Sequence, residues 1–311
     1  MNSSDYTSVD KNAFIAGVLD QCEFFVQTHV WPTAQELHYQ DWLENFKGVD
    51  EQFVAAKMLS ALMYYPDIMS RNLLKASVGN AILDGSRDRG LTLDSFVKEL
   101  AYFTTILGED ESPTGSGGTI LTMLRDQLFI PSDRIVDAAG LDAVFLEEGM
   151  KKELYIIICD DFIGSGEQSI NFLSGKCRPR LGQSIYDYAK DNGHRLSFAS
   201  MLANQDGYNV LRSQLSSLDL YTGHILGDEY NLFHPTSLCW GRDKSLYAFG
   251  TELILGKSQE IGIPDDRSRR SARGFENQGL FVGFRHGFPD AVPAIFYANN
   301  KGWAPLMERR T

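Results

Sequence analysis

The stretch Leu154-Tyr155-Ile156-Ile157-Ile158-Cys159-Asp160-Asp161-Phe162-Ile163-Gly164-Ser165-Gly166 decides how this chain is read. Its first six residues are an almost unbroken apolar run, the pattern of a parallel strand covered on both faces. Two aspartates follow at once. A short loop with Gly164 and Gly166 comes next, then Ser169-Ile170-Asn171-Phe172-Leu173, which can continue as a helix. In an open α/β sheet, ligands bind at the carboxyl ends of strands. A glycine loop opening a helix there offers backbone N–H groups and the positive end of the helix dipole to an anion. Ser165 adds a hydroxyl donor. Carboxylates beside such a cradle accept hydrogen bonds from vicinal ribose hydroxyls and stabilise positive charge developing on a sugar ring. Together these residues describe a ribose-phosphate site. The plainer alternative is that Asp160 and Asp161 only cap a helix after a buried strand, for which one carboxylate would suffice.

The flanking sequence predicts an α/β fold with a largely parallel sheet and a helical amino-terminal region. Short apolar runs at Tyr102–Leu107, Leu154–Cys159, Leu196–Leu202, Leu220–Ile225, Leu280–Phe284 and Ala294–Tyr297 alternate with helix-like segments, as parallel strands joined by helices do. Upstream the period changes. Phe14, Val18, Cys22 and Phe25, with Ile15, Leu19 and Val26, make one apolar stripe at three- and four-residue steps, the mark of a helix. A second helix is expected from Pro32 and Thr33 through Trp42 and Phe46, a third carries Val54, Met58 and Leu62, and a fourth runs from Ile68 to Leu83. The polar stretch Asp84-Gly85-Ser86-Arg87-Asp88-Arg89-Gly90 reads as a loop. It sets the expected division: a helical region over 1–90 and the α/β domain over 91–311.

Composition bounds the function. The chain of 311 residues is 43% hydrophobic and 23% charged, a globular composition with no apolar run long enough for a bilayer and no leader pattern at its start. A cytoplasmic protein is expected, ordered beyond its first ten or so residues. The net charge of -12 disfavours broad nonspecific nucleic-acid binding. Cys22, Cys159, Cys177 and Cys239 are scattered, and the six histidines form no ligand cluster, so no protein-only metal cage is expected. Cys159 reads as a buried thiol. Arg267, Arg269, Arg270 and Arg273 crowd one segment, and Arg309 and Arg310 lie at the other extreme of the same region. Either this is a solvated, flexible loop or it is a local anion or partner site.

Two further segments carry chemistry. Pro113-Thr114-Gly115-Ser116-Gly117-Gly118-Thr119 follows the first predicted strand and precedes the helix-like Ile120–Leu128. It reads either as an anion-holding loop through Gly115, Ser116, Gly117, Gly118 and Thr119 or as a flexible connection. It has neither Gly-Lys-Thr nor the dinucleotide glycine spacing. His286 follows the predicted strand Leu280–Phe284 and would reach the ligand edge as an acid or base; a structural histidine is the alternative. Arg285 pairs either with the acidic pair or a phosphate, or lies on the surface. Trp303 and Pro305 are expected to fix the carboxyl-terminal segment onto the sheet.

The acidic-pair segment resembles the phosphoribosyl pyrophosphate (PRPP) motif of type I phosphoribosyltransferases: apolar strand, two acidic residues, three variable positions, Thr-Gly, one residue, Thr. On that resemblance Asp160 and Asp161 hold ribose hydroxyls and are catalytic. Phe162, Ile163, Gly164, Ser165, Gly166, Glu167 and Gln168 form the phosphate loop, and Gly115–Thr119 corresponds to the pyrophosphate loop. Ser165 replaces Thr, and Glu167 and Gln168 replace a small residue and Thr. The segment Gly283-Phe284-Arg285-His286-Gly287-Phe288-Pro289, running on to Tyr297, with Trp303-Ala304-Pro305-Leu306 and Arg309, is similar to a branch of these proteins found in bacterial conflict systems such as retrons. The resemblance implies a role in antiviral defence, with PRPP or a nucleotide as ligand and Mg2+ bound with the substrate phosphates. It also implies a partner protein or nucleoprotein of the defence system. Two functions fit: an enzyme of pentosyl transfer or anomeric cleavage, or an inactive PRPP- or nucleotide-binding sensor.

Overall fold

The structure, a computed structural model, describes residues 9–106, 116–175 and 177–308. In chain order the elements are α1 (Lys11–Gln27), α2 (Tyr39–Glu44), α3 (Gly48–Ala61), β1 (Met63–Tyr65), α4 (Asp67–Arg89), α5 (Leu93–Glu99) and β2 (Ala101–Thr105). Then come α6 (Ser116–Asp126), α7 (Leu141–Glu147), β3 (Tyr155–Ile163), α8 (Glu167–Ile170), α9 (Ile185–Asp191), β4 (Arg195–Asn204) and α10 (Gln205–Gln214). The order ends with β5 (Leu218–Leu226), α11 (Lys244–Glu260) and β6 (Val282–Phe284). Every strand pairing is parallel: β2-β3-β4-β5 form one sheet, and β1 pairs with β6 in another. The fold is α/β, with mostly parallel sheets flanked by helices.

The chain divides into two compact units, one made of residues 69–226 and one of residues 1–68 with 227–311. This cut differs from a division at residue 90, which separates helical from mixed sequence.

In the unit of residues 69–226 the four strands lie in sequence order. Consecutive crossovers of one hand then fall on one face. That face carries Leu141 and Phe145 of α7, Ile185 and Tyr188 of α9, and Leu211 of α10, packed on Tyr102, Ile156, Ile158, Leu196 and Phe198. The opposite face takes α4 and α5, with Phe96 edge-on to Tyr155 at 5.0 Å. The stretch expected as a loop at Asp84–Gly90 is instead the end of α4. Its small residues explain this: Gly85 and Ser86 are buried, and a Cβ on Gly85 would come within 2.4 Å of the Phe96 ring. Arg89 at the helix end pairs with Glu153. β3 also runs four residues further than the apolar run, through the acidic pair to Ile163.

In the other unit α1 lies on α3 through Phe14 and Phe53, ring centroids 5.1 Å apart. β1 was not foreseen in a region read as wholly helical. The run at Leu280–Phe284 forms β6, but against β1 rather than in the four-stranded sheet. Ala294–Tyr297 is not a strand: Pro293 opens a single 3-10 turn over Ala294–Phe296. Trp303, expected to pack on a sheet, packs within this unit. Its ring meets Phe46 at 5.4 Å, and its indole N–H donates to Ile295 O at 2.8 Å. Trp42 of α2 donates to the same carbonyl at 3.3 Å, and Asn45 makes a two-way bond with the Ala304 backbone at 2.8 and 3.0 Å. The amino-terminal helices and the carboxyl-terminal segment therefore share one core. No helix among the described residues is long and apolar enough to cross a membrane.

Candidate functional site

β3 is the longest-lived part of the sequence reading. Tyr155 to Asp160 are all buried, and Asp161 and Phe162 are half-buried. β2 pairs with β3 only as far as Thr105 opposite Cys159, whereas β4 continues beside β3 to Ala203 opposite Ile163. Asp160 to Ile163 thus overhang the end of β2, with a strand on one side alone among the described residues. Among the described residues this is a notch in the strand pairing at the carboxyl edge of the sheet, and the acidic pair lies on it. Asp160 accepts a hydrogen bond from the Asp161 amide at 3.0 Å. Its charge, added to full burial, pushes the Cys159 thiol far above its ordinary pKa, so Cys159 is an inert buried thiol beside the site.

The loop Gly164–Gly166 leaves β3 and ends on Gly166, whose φ of 82° lies in the left-handed region that favours glycine. The helix expected over Ser169–Leu173 is present: α8 is a single α-turn, Glu167–Ile170, continued by a π-turn over Asn171–Gly175. The side chains of Glu167 and Gln168 are exposed, and Ser165 Oγ accepts from the Glu167 amide at 3.4 Å.

Three polar residues of β2 and β4 near the carboxyl edge of the sheet carried no signal in the sequence. Ser200 is the register partner of Asp160, and Thr104 is the partner of Ile158, the residue two before Asp160 on the same face. Both hydroxyls are buried and have no partner among the described residues. Asn204 ends β4 and caps α10, accepting from the Asp206 amide at 3.3 Å. Strand alternation could have flagged Ser200 once the register was known; nothing earlier could.

The glycine segment after β2 falls partly outside the described residues, which do not include Gly115. Ser116, Gly117, Gly118 and Thr119 are not a loop but the opening of α6. α6 packs against β2 and β3, so the segment does follow the strand beside the acidic pair. His286 lies in the other unit, on an exposed turn after β6, its ring stacked on Phe284 at 5.1 Å. β6 is not a strand of the four-stranded sheet, so its carboxyl end is not the strand end that carries the acidic pair. Arg285 pairs with Asp67 at 2.6 Å on the surface. In the arginine segment Arg267, Arg269 and Arg270 are exposed, and backbone contacts tie it to its own unit. Ala272 N–H bonds Pro264 O at 2.8 Å, and Tyr297 Oη bonds Arg269 O at 3.0 Å. Arg267, Arg269 and Arg273 pair with Glu276, Asp290 and Asp265. Residues 1–8, Arg309 and Arg310 lie outside the described residues.

Among the described residues no group of three or more His, Cys, Asp or Glu side chains is placed to hold a metal. The two carboxylates of the notch suit a Mg2+ that keeps its waters and is bound chiefly through a substrate's phosphates.

A model of the PRTase-CE family matches residues 39–309, which spans the four-stranded sheet, the acidic pair and the carboxyl-terminal Trp-Ala-Pro-Leu segment. No curated protein and no solved structure matches the chain.

Proposed function

Because the chain belongs to the PRTase-CE family, a phosphoribosyltransferase-like family, we propose that the notch at the end of β3 binds PRPP or a nucleotide and acts at its anomeric carbon. The observation that carries this reading is the placement of two adjacent carboxylates on the overhanging end of a central parallel strand, ahead of a left-handed glycine loop. In this reading the loop backbone of residues 164–168 receives the 5'-phosphate, and Asp160 and Asp161 accept from the ribose hydroxyls. As the bond from the anomeric carbon to the pyrophosphate oxygen breaks, the leaving group keeps the electron pair. A nitrogen base or water forms the new bond to the anomeric carbon with its lone pair and gives up a proton to solvent. The fixed carboxylates stabilise the positive charge that develops on the ring, without reorganising. A bound Mg2+ would neutralise phosphate charge, and Asp160 and Asp161 are the residues that would help to hold it. Within a defence system in the cytoplasm, under the control of a partner protein or nucleoprotein, the consequence would be depletion or modification of nucleotides.

A second reading is favoured by Glu167 and Gln168, which stand where the family motif has a small residue and Thr. A carboxylate there weakens a phosphate site while leaving the fold intact, which suits a sensor that binds without turnover. Calorimetric titration with PRPP and with nucleotides, in Mg2+, tests the common core of both readings. Binding by the native chain, lost in Asp160→Ala/Asp161→Ala, is the expected result; equal binding by both would remove the site from the notch. Product analysis then separates them. The enzyme reading expects Asp161→Asn to lower turnover by about 100-fold or more, and the sensor reading expects the ligand to be recovered unchanged.

A further inference from the structure

Two glycines from different elements meet beneath the acidic-pair loop. Gly207 is the third residue of α10 and is buried. Glycine is among the poorest helix formers, so a local reason for it is absent. The reason is tertiary. A Cβ on Gly207 would lie 1.9 Å from the Gly164 carbonyl oxygen, 2.9 Å from its carbon and 3.0 Å from Ser165 C. From the other side, a Cβ on Gly166 would lie 3.0 Å from Gly207 O and 3.4 Å from Leu211 Cγ. Loop and helix therefore rest backbone on backbone at both glycines.

This contact fixes more than position. The Gly164 oxygen is nearer the Gly207 Cβ position than its own carbon by 1.0 Å, most of a C=O bond length, so the carbonyl is aimed at α10. In a trans peptide the N–H lies opposite the carbonyl. The Ser165 amide consequently faces away from α10. Asn204, capping the same helix from the end of β4, holds the first turn of α10 in place.

We infer that Gly207 is a positioning residue for the anion loop: the first turn of α10 is the rest on which Gly164–Gly166 lies, and its missing side chain turns the Ser165 amide outward to meet a phosphate monoester. The ligand part of this inference rests on the proposed reading of the loop; the positioning part does not. Amide hydrogen exchange on the full chain, without ligand, tests the second directly. In Gly207→Ala the amides of residues 165–169 should exchange about ten-fold faster, while the central amides of β3 and β4 keep their protection. Asn209→Ala, on an exposed position of the same helix, should leave the loop as it is. Should Gly207→Ala fail to fold, Leu211→Val withdraws packing from under Gly166 without adding bulk and should speed the same amides several-fold. Unchanged loop exchange in the folded variants, or an equal response in Asn209→Ala, overturns the positioning role. Titration with PRPP and Mg2+ supplies the second arm. An affinity about ten-fold weaker in Gly207→Ala than in the native chain supports the full inference, and equal affinity overturns it. A native chain that ignores PRPP, but whose loop loosens in Gly207→Ala, retains the positioning role and removes the ligand reading.

Discussion

The unit of residues 1–68 and 227–311 and the unit of residues 69–226 treat their buried polar groups differently. In the first, buried donors converge on shared acceptors. Trp42 and Trp303 both reach Ile295 O, Trp240 reaches Leu232 O at 2.7 Å, and the buried Lys257 ammonium sits between Glu51 and Glu260 at 3.0 and 3.5 Å. In the second, Thr104 and Ser200 keep hydroxyls, and His194 keeps Nε2, with no partner among the described residues. A buried polar group left unpaired costs about 1–3 kcal/mol. Ser200 lies opposite Asp160 in the sheet and Thr104 opposite Ile158, while Gln127 Oε1 of the same unit is also buried without a partner among the described residues, so the cost is spread through the unit and reaches the acidic pair at Ser200. One unit uses its polar side chains to close a core assembled from distant chain segments. The other tolerates open ones, including one beside Asp160.

The comparison can be broken at several points. Trp42→Ala removes a ring that stacks on Phe296 at 5.3 Å and meets Phe46 at 4.9 Å, together with one of the two bonds to Ile295 O. Denaturant unfolding should show a loss of about 3–5 kcal/mol. A loss under about 1 kcal/mol would mean that the shared core does not depend on its indoles.

His194 should give a smaller, pH-dependent effect. Its Nδ1 accepts from the Leu154 amide at 3.3 Å, and the ring stacks on Phe145 at 5.4 Å. Burial holds its pKa below the ordinary histidine value, against the opposing pull of Glu153. The unfolded chain therefore takes up a proton first as pH falls, so the stability contributed by the neutral ring is full above about pH 6.5 and declines below it. The difference in unfolding midpoint between the native chain and His194→Phe should stay level from pH 8 to about pH 6.5 and then shift in the variant's favour down to pH 5. A difference independent of pH would exclude a buried neutral imidazole.

Thr104→Val should do least. It replaces an unpartnered buried hydroxyl by a methyl of the same shape, with an expected change between zero and about 1 kcal/mol of added stability. A loss near 2 kcal/mol would instead show that the hydroxyl has a partner and that the contrast between the units is weaker than drawn.

What the sequence made legible follows from what generates each signal. Tyr155 to Cys159 could be read because a strand covered on both faces must be apolar throughout. The stripe from Phe14 to Val26 could be read because a helix buries one face. β1 gave no signal, since Met63-Tyr64-Tyr65 is too short to show a period. The run from Ala294 to Tyr297 misled because burial alone makes a segment apolar, while Pro293 set a turn. The end of α4 misled for the opposite reason: Gly85 and Ser86 look like loop residues but are small because Phe96 and Tyr155 lie against the helix. Asp160 and Asp161 were legible because their chemistry is local. Gly207 was not, because only the carbonyl of Gly164, more than forty positions earlier, explains it.

The pairing of Met63 with Val282 has a consequence in time. A ribosome adds about 5–20 residues per second, so β1 waits roughly 10–40 s after it emerges before its partner strand exists. For that interval Trp42 and Asn45 face no Ile295 and no Ala304, whereas the four-stranded sheet has all its strands once Leu226 is made, well before Val282. Late in that interval the nascent chain carries a complete four-stranded unit behind an amino-terminal segment whose apolar face is still open, and that segment is the part most exposed to chaperones, proteases and premature association.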